Sequence, residues 1–175
     1  MAPLTQAEVD SIVAELAPQI STEDDKAKVG AAAYTALFAV RPEFIQMFRR
    51  LQGMTMEQIA KSDGLRHHGI ALVDGLVKLV VAGADDEKLA KECALNGRIH
   101  RRIPKADFQF STDVFVEFFN IALKKEENKK AMEKFLNTSF LELLRKLDNN
   151  LKNMILFFVV YHLRFVFLFC TRWCM

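Results

Sequence analysis

The sequence predicts an all-α domain of seven or eight helices. Three observations carry that expectation. Apolar residues recur at helical spacing in one segment after another. No stretch shows strand alternation bounded by turn pairs. Seven Gly and four Pro in 175 residues are too few for a turn-rich β-sandwich or a disordered chain.

Each helix has its own justification. Thr5-Gln6-Ala7-Glu8 matches a capping box, Val9, Ile12, Val13 and Leu16 follow at helical spacing, and Pro18 stops the run. Ser21 to Asp25 is an acidic start, favourable against the positive end of the helix dipole. It leads through Ala31, Ala32 and Ala33 to Leu37 and Phe38, with Gly30 allowing a neighbour to approach closely. Pro42 ends that helix, because a residue before proline is biased out of helical geometry. Glu43 to Leu51 reads as a short helical piece dense in Phe; Gly53 breaks the chain, and Thr55-Met56-Glu57 starts another short helix. From Ser62 a long helix puts Leu65, Leu72, Leu76 and Leu79 on one stripe, flanked by Val73 and Val80, and Gly83 terminates it. Asp85, Asp86 and Glu87 open the next, which passes Leu89, Cys93 and Leu95 to reach His100. Pro104 resets the chain, and Val114, Phe115, Phe118, Phe119 and Leu123 form an apolar face. After Asn128 a last helix runs through Met132, Phe135, Leu136, Phe140, Leu143, Leu144 and Leu147. No internal repeat is present.

Charge divides the chain into a body, residues 1–150, and a tail, residues 151–175. The tail holds 19 hydrophobic residues of 25, two of the three Cys, three basic residues and no acidic one. The body is left with 21 basic against 22 acidic side chains, so the overall charge of +2 comes from the tail. A body without excess Lys and Arg has nothing to neutralise phosphates with, which excludes a nucleic-acid partner argued from charge. Cys93 is the body's one cysteine, too few for a disulfide framework or a Cys-based zinc site. The first ten residues lack the basic and apolar regions of a signal peptide, so the body is expected in the cytoplasm. Met154 to Cys170 is nearly all apolar but is interrupted by His162 and Arg164. It reads as an extension foreign to the domain, as a membrane anchor shorter than the usual span of about 20 residues, or as a helix packed on the body.

Histidine is the informative count, since only His67, His68 and His100 lie in the body. His68 sits on the apolar stripe of one helix, and His100 ends the next helix 32 residues later. Neutral imidazole is a good ligand for haem iron, and two facing helices with one His each could bracket such a group. Tyr34 points into an Ala, Leu and Phe environment, where a buried phenol needs a partner. By chemistry alone, the favoured reading makes both histidines hydrogen-bonded core or boundary residues, Tyr34 an ordinary half-buried tyrosine, and Phe44 and Phe48 plain core.

The run Arg66-His67-His68-Gly69-Ile70-Ala71-Leu72 resembles the distal-histidine helix of globins. Arg41-Pro42-Glu43, with Phe48 six residues after the proline, is similar to the globin corner whose phenylalanine packs on the haem. Gly97-Arg98-Ile99-His100, followed by Arg101-Arg102-Ile103-Pro104, resembles the proximal end. Tyr34 precedes Pro42 by eight residues and His68 by 34, which matches the distal position of the second helix. Within the family, Gly30 to Phe38, Ser62 to His68 and Gly97 to His100 look most like haemoglobins of trematode flukes, and the resemblance covers about residues 4 to 150.

That resemblance implies a globin fold around haem b (iron protoporphyrin IX), with the apolar tail outside it. His100 would be the proximal iron ligand and His68 the distal residue. Tyr34 would donate a hydrogen bond to bound oxygen. Phe48 would clamp the porphyrin, Leu72 would crowd the distal side, and Ile103 would touch the cofactor from the corner. The implied function is reversible binding of oxygen and other diatomic ligands for storage, transport or scavenging, by a monomer, and not an enzyme. Redox turnover (nitric oxide dioxygenase or peroxidase) and a cofactor-free helical interaction module are the alternatives. Two departures from the family stand out. Fluke haemoglobins place tyrosine at both distal positions, whereas the second here is His68, so oxygen release is expected to be less extreme. Only three residues lead from His100 to Ile103, where the family has more; counted back from the proline, the ligand position falls near Arg98, which cannot bind iron. His100 with a shifted corner is the expected ligand.

Overall fold

Helix starts in this chain are fixed by side chains that satisfy the otherwise unpaired first-turn N–H groups. In the computed structural model, which describes residues 2–138, Thr5, Thr22 and Thr55 each form a reciprocal capping box, with Glu8, Asp25 and Gln58 respectively. They open α1 (Gln6–Leu16), α2 (Glu23–Val40) and α3 (Met56–Ala60). Ser62 and Asp85 cap α4 (Asp63–Ala82) and α5 (Asp86–Ile99), and Pro104 opens α6 (Lys105–Ala122). A seventh helical segment, α7, covers 126–138. Seven α-helices and two 3-10 turns, Ala17–Gln19 and Pro42–Met47, thus make up the described residues.

Two local readings shift. The piece expected as a helix over 43–51 is the 3-10 turn Pro42–Met47 followed by an extended Phe48. One helical turn buries Phe44 and Ile45, and the extended residue then swings the chain so that Leu51 re-enters the core with no exposure. On α4 the buried positions are Gly64, Leu65, Gly69, Val73, Val80 and Ala82, while Leu72, Leu76 and Leu79 lie half-buried beside them. The stripe is rotated because α4 meets α2 through Gly69.

That crossing is the closest approach in the fold. A Cβ built on Gly30 would lie 2.2 Å from the Gly69 carbonyl oxygen, and one on Gly69 would lie 3.0 Å from the Ala27 oxygen. Ion pairs flank the contact: Lys26 to Asp74 and Asp24 to Arg66, both at 2.7 Å. Residues two apart on α2 therefore reach residues eight apart on α4, which is the geometry of a steep crossing. Two apolar clusters lie on either side. One gathers α1, the end of α4, α5, the end of α6 and α7 around Ile12, Val80, Cys93 and Phe135; the other gathers the end of α2, the 3-10 corner, α3 and the start of α4 around Phe38, Leu51, Ile59 and Leu65. Phe115 of α6 packs against both.

Asn128 lies inside α7, not before it, because it is part of a polar clamp. Its buried side chain donates to Glu15 of α1 at 2.6 Å and to the Ser11 carbonyl at 3.3 Å. The N–H groups of Lys124 and Lys125 also donate to the Glu15 carboxylate, so a residue of α1 caps the start of α7. Burial pulls the Glu15 carboxyl upward, but these hydrogen bonds outweigh it and hold it below its ordinary value. Among the described residues no helix is long and apolar enough to cross a membrane. The tail, residues 151–175, lies outside the described residues.

Two expectations follow from these contacts. Gly30→Ala forces the α2–α4 backbones apart and is expected to cost about 3 kcal/mol, the upper end for overpacking, read from urea denaturation. Asn128→Ala should cost about 1–3 kcal/mol, because the Ser11 carbonyl and Glu15 lose a buried donor. Since the Glu15 carboxyl is held low in the fold, its contribution is present above its unfolded value and is lost as pH falls through the folded one. The stability difference between wild type and Glu15→Gln should accordingly shrink on acidification below pH 4.5.

Candidate functional site

The Gly30–Gly69 contact brings two polar rings together. Tyr34 follows Gly30 by one turn of α2, and His68 immediately precedes Gly69 on α4. Their ring centres are 6.4 Å apart, and Phe48 completes the group at 5.1 Å from Tyr34 and 5.0 Å from His68. Phe38 and Phe115 close it from α2 and α6, at 5.9 and 6.3 Å from Tyr34. Nearly all the contacts are edge to face, the arrangement that aromatic quadrupoles favour.

This environment sets the protonation of both groups. Burial pushes the Tyr34 phenol up to about 12. Burial, aided by the charges of Arg50 and His67, holds the His68 imidazole below its ordinary value and therefore neutral at neutral pH. Among the described residues neither the Tyr34 hydroxyl nor the His68 ring has a hydrogen-bond partner. Buried polar groups are normally paired. The Tyr34 phenol departs from that rule, while His68, half-buried beside it, keeps access to solvent.

His100 occupies a different neighbourhood. The buried stripe of α5 is Leu89, Cys93 and Gly97, and His100 follows three residues after Gly97. Arg98 and Ile99 point outward, Ile99 being 67% exposed, so His100 is the residue of this last turn that turns inward. Its Nδ1 lies 3.0 Å from the Asn96 carbonyl. A carbonyl can only accept, so Nδ1 carries the proton and Nε2 keeps its lone pair, the form that binds a metal. Burial holds this imidazole below its ordinary value, although the Asn96 bond opposes the shift. The Ile103 N–H donates to the His100 carbonyl at 2.9 Å, which closes a tight corner, and Phe108 packs on the His100 ring at 5.3 Å.

Of the residues expected from the sequence, the fold brings Tyr34, Phe48 and His68 into one cluster. His100 joins them only through α6, whose Phe108 touches His100 and whose Phe115 touches Tyr34, two turns or about 10 Å apart. Leu72 lies one turn beyond His68 and Ile103 lies in the corner, both half-buried. Phe38, Asn96 and Phe108 escape sequence reasoning; the apolar face of α6 points to Phe115, but nothing in the pattern says that it reaches Tyr34. Two clefts open elsewhere on the described residues, the second bordering the apolar cluster at Ala31 and Leu65. One of about 240 Å³ is lined by Val13, Leu16, Ile20, Val77 and Val80, and one of about 390 Å³ by Asp24, Lys28, Lys61 and Arg66 among others; neither holds any of the expected ligand residues.

Residues 31–143 match the family model described as Globin. A globin of Isoparorchis hypselobagri is 35% identical over 140 residues, which span 78% of this chain and 94% of that protein. The chain belongs to the globin family. A globin of Dicrocoelium dendriticum is 44% identical over 73 residues, 42% of this chain and 63% of that one, and both relatives come from trematodes. Among solved structures, ferric Aplysia limacina myoglobin superposes with a TM-score of 0.67 over 82% of this chain and 98% of its own, at 19% identity. The haemoglobin of the botfly Gasterophilus intestinalis does so with 0.68 over 83% and 99%, at 14% identity, and both likenesses show the fold.

Globins bind haem, and the residues of this globin fit that group. One imidazole is oriented by a backbone carbonyl with Nε2 left bare. The surroundings of Tyr34 and His68 are aromatic, and the phenol and second imidazole have no partner among the described residues. Because the Tyr34 phenol is raised in the fold, its stabilising contribution is full below its unfolded value near 10 and is lost as pH climbs toward 12. An ultraviolet titration should therefore show one phenol ionising near pH 12, a step absent from Tyr34→Phe, whose alkaline unfolding should begin at higher pH.

Proposed function

We propose that this globin holds haem b through Nε2 of His100 and binds oxygen and other diatomic ligands reversibly beside Tyr34 and His68. The observation that carries the reading is a largely buried phenol and a half-buried imidazole, 6.4 Å apart in an aromatic cluster and without hydrogen-bond partners among the described residues. Haem iron supplies the centre at which a diatomic ligand is taken up. Tyr34 keeps its proton on Oη at any physiological pH and offers it as a donor. His68, neutral for the same reason of burial, offers a second N–H. A donor to a ligand that carries partial negative charge is worth about 1 kcal/mol or more in a dry site. Phe48 walls the cluster against water, Leu72 crowds the distal side one turn from His68, and Ile103 anchors the corner that presents His100.

The chemistry of two donors points to slow ligand release and so to storage, transport or scavenging. A phenol and an imidazole differ from two phenols in that the imidazole is the weaker donor, which moderates the retention. No residue in this account undergoes net change, as a reversible carrier requires.

The test is the absorption spectrum of the purified chain loaded with haem, in ferric, ferrous and carbon monoxide forms. A Soret band that shifts with ligand and is lost or displaced in His100→Ala is expected. No such band, or one indifferent to His100→Ala, overturns the assignment. In the loaded protein Tyr34→Phe should release oxygen about fivefold faster, the equivalent of about 1 kcal/mol, by stopped-flow displacement.

A further inference from the structure

Arg41, the residue between α2 and Pro42, makes more inter-element contacts than an end-of-helix arginine needs. Its guanidinium carbon lies 4.8 Å from the centre of the Phe44 ring on the 3-10 corner and 4.8 Å from that of Phe110 on α6. Those two rings meet edge to face at 5.9 Å, so the cation sits over both. One of its terminal nitrogens is 3.6 Å from Asp107 of α6, and its Nε pairs with Glu43. The Asp107 side chain is 22% exposed and Arg41 36%, so the pair is partly withdrawn from solvent. Phe108, next to Asp107, is the residue that packs on His100.

We infer that Arg41 is a positioning residue for His100. It ties the first turn of α6 to the corner that carries Phe48, and so holds Phe108 against the imidazole. Without it, α6 keeps Pro104 as its start but loses a cation over two rings and an ion pair at the turn that matters. Phe108 keeps its packing against the first apolar cluster, but its ring is freer to shift over His100, which also bonds to the Asn96 carbonyl. Cation–ring contacts of this kind strengthen as they are desolvated, and the planar guanidinium suits a two-ring seat better than an ammonium does. One side chain thereby links the distal wall, through Phe44, to the proximal one, through Asp107 and Phe108. Its value to a metal ligand rests on the haem reading above; the positional link itself does not.

The experiment reads the His100 ring resonances of the full chain by NMR, without haem, assigned by their loss in His100→Gln. Phe108 displaces them from free-imidazole values by its ring current. In Arg41→Met that displacement should fall by half or more, and Arg41→Lys should restore part of it. Asn128→Ala, which loosens α7 from α1, serves as a destabilised control and should leave it in place. Unchanged His100 resonances in Arg41→Met, or an equal change in Asn128→Ala, overturns the inference. If Arg41→Met does not fold, Phe110→Leu removes one face of the seat alone; a smaller loss of displacement supports the link, and none overturns it. The loaded protein separates the two readings. Absence of a Soret band removes the haem assignment while the apo resonances still decide the role of Arg41; with haem bound, the iron–histidine stretching frequency should shift in Arg41→Met and stay fixed in Asn128→Ala.

Discussion

The distance at which α2 crosses α4 governs the rest of the structure. It is set by two residues without side chains, Gly30 and Gly69, whose backbones leave no room for a methyl group between them. Close approach at a steep angle fixes where the next turn of each helix projects. Tyr34 stands one turn beyond Gly30 and His68 directly before Gly69, so the same contact that packs the fold also sets the separation of the two polar rings. Flanking ion pairs from Asp24 and Lys26 add modest energy where they are exposed. Their greater use is directional, because they reach opposite sides of Gly69 and resist rotation about the crossing.

Much of this was legible in the sequence, and the limit has a physical cause. Helix starts were readable because capping is local: Thr5, Ser62 and the acidic runs near Thr22 and Asp85 announce themselves within four residues. The family, the all-helical fold and the resemblance to fluke globins were readable from ordered short runs at fixed intervals. What stayed hidden depends on contacts between segments far apart in the chain. The rotation of the α4 stripe follows from Gly69 meeting α2. The placing of Asn128 inside α7 follows from Glu15, more than a hundred residues away. Likewise the inward turn of His100 needs the course of α5 in space: counting residues back from Pro104 pointed near Arg98, whereas the buried stripe Leu89, Cys93, Gly97 leads to His100.

The two histidines illustrate how one residue type acquires different roles from different neighbours. Both are neutralised by burial. His100 has its Nδ1 committed to a carbonyl four residues back, which defines a tautomer and frees one nitrogen. The exposed His67 makes the same bond to the Asp63 carbonyl at 2.7 Å, so that bond alone is a property of helices and marks no site. Burial at the end of an apolar stripe, with an aromatic ring on its face, is what distinguishes His100. His68 has no such anchor, and only aromatic edges hold it.

Packing alone would not select tyrosine at position 34. Phenylalanine would make the same ring contacts with Phe38, Phe48 and Phe115 and would bury no hydroxyl. An unpaired buried hydroxyl costs about 1–3 kcal/mol, a substantial part of the 5–15 kcal/mol by which a domain of this size is stable. The neighbouring His68 imidazole, kept neutral and without a partner among the described residues, offers the phenol no hydrogen bond in return. In the function proposed above, a ligand beside the two rings would offset that cost by accepting hydrogen bonds from them. The energy withheld from the unliganded fold would then be available to binding, and the close α2–α4 crossing would leave little of it to be spent on bringing the donors into place.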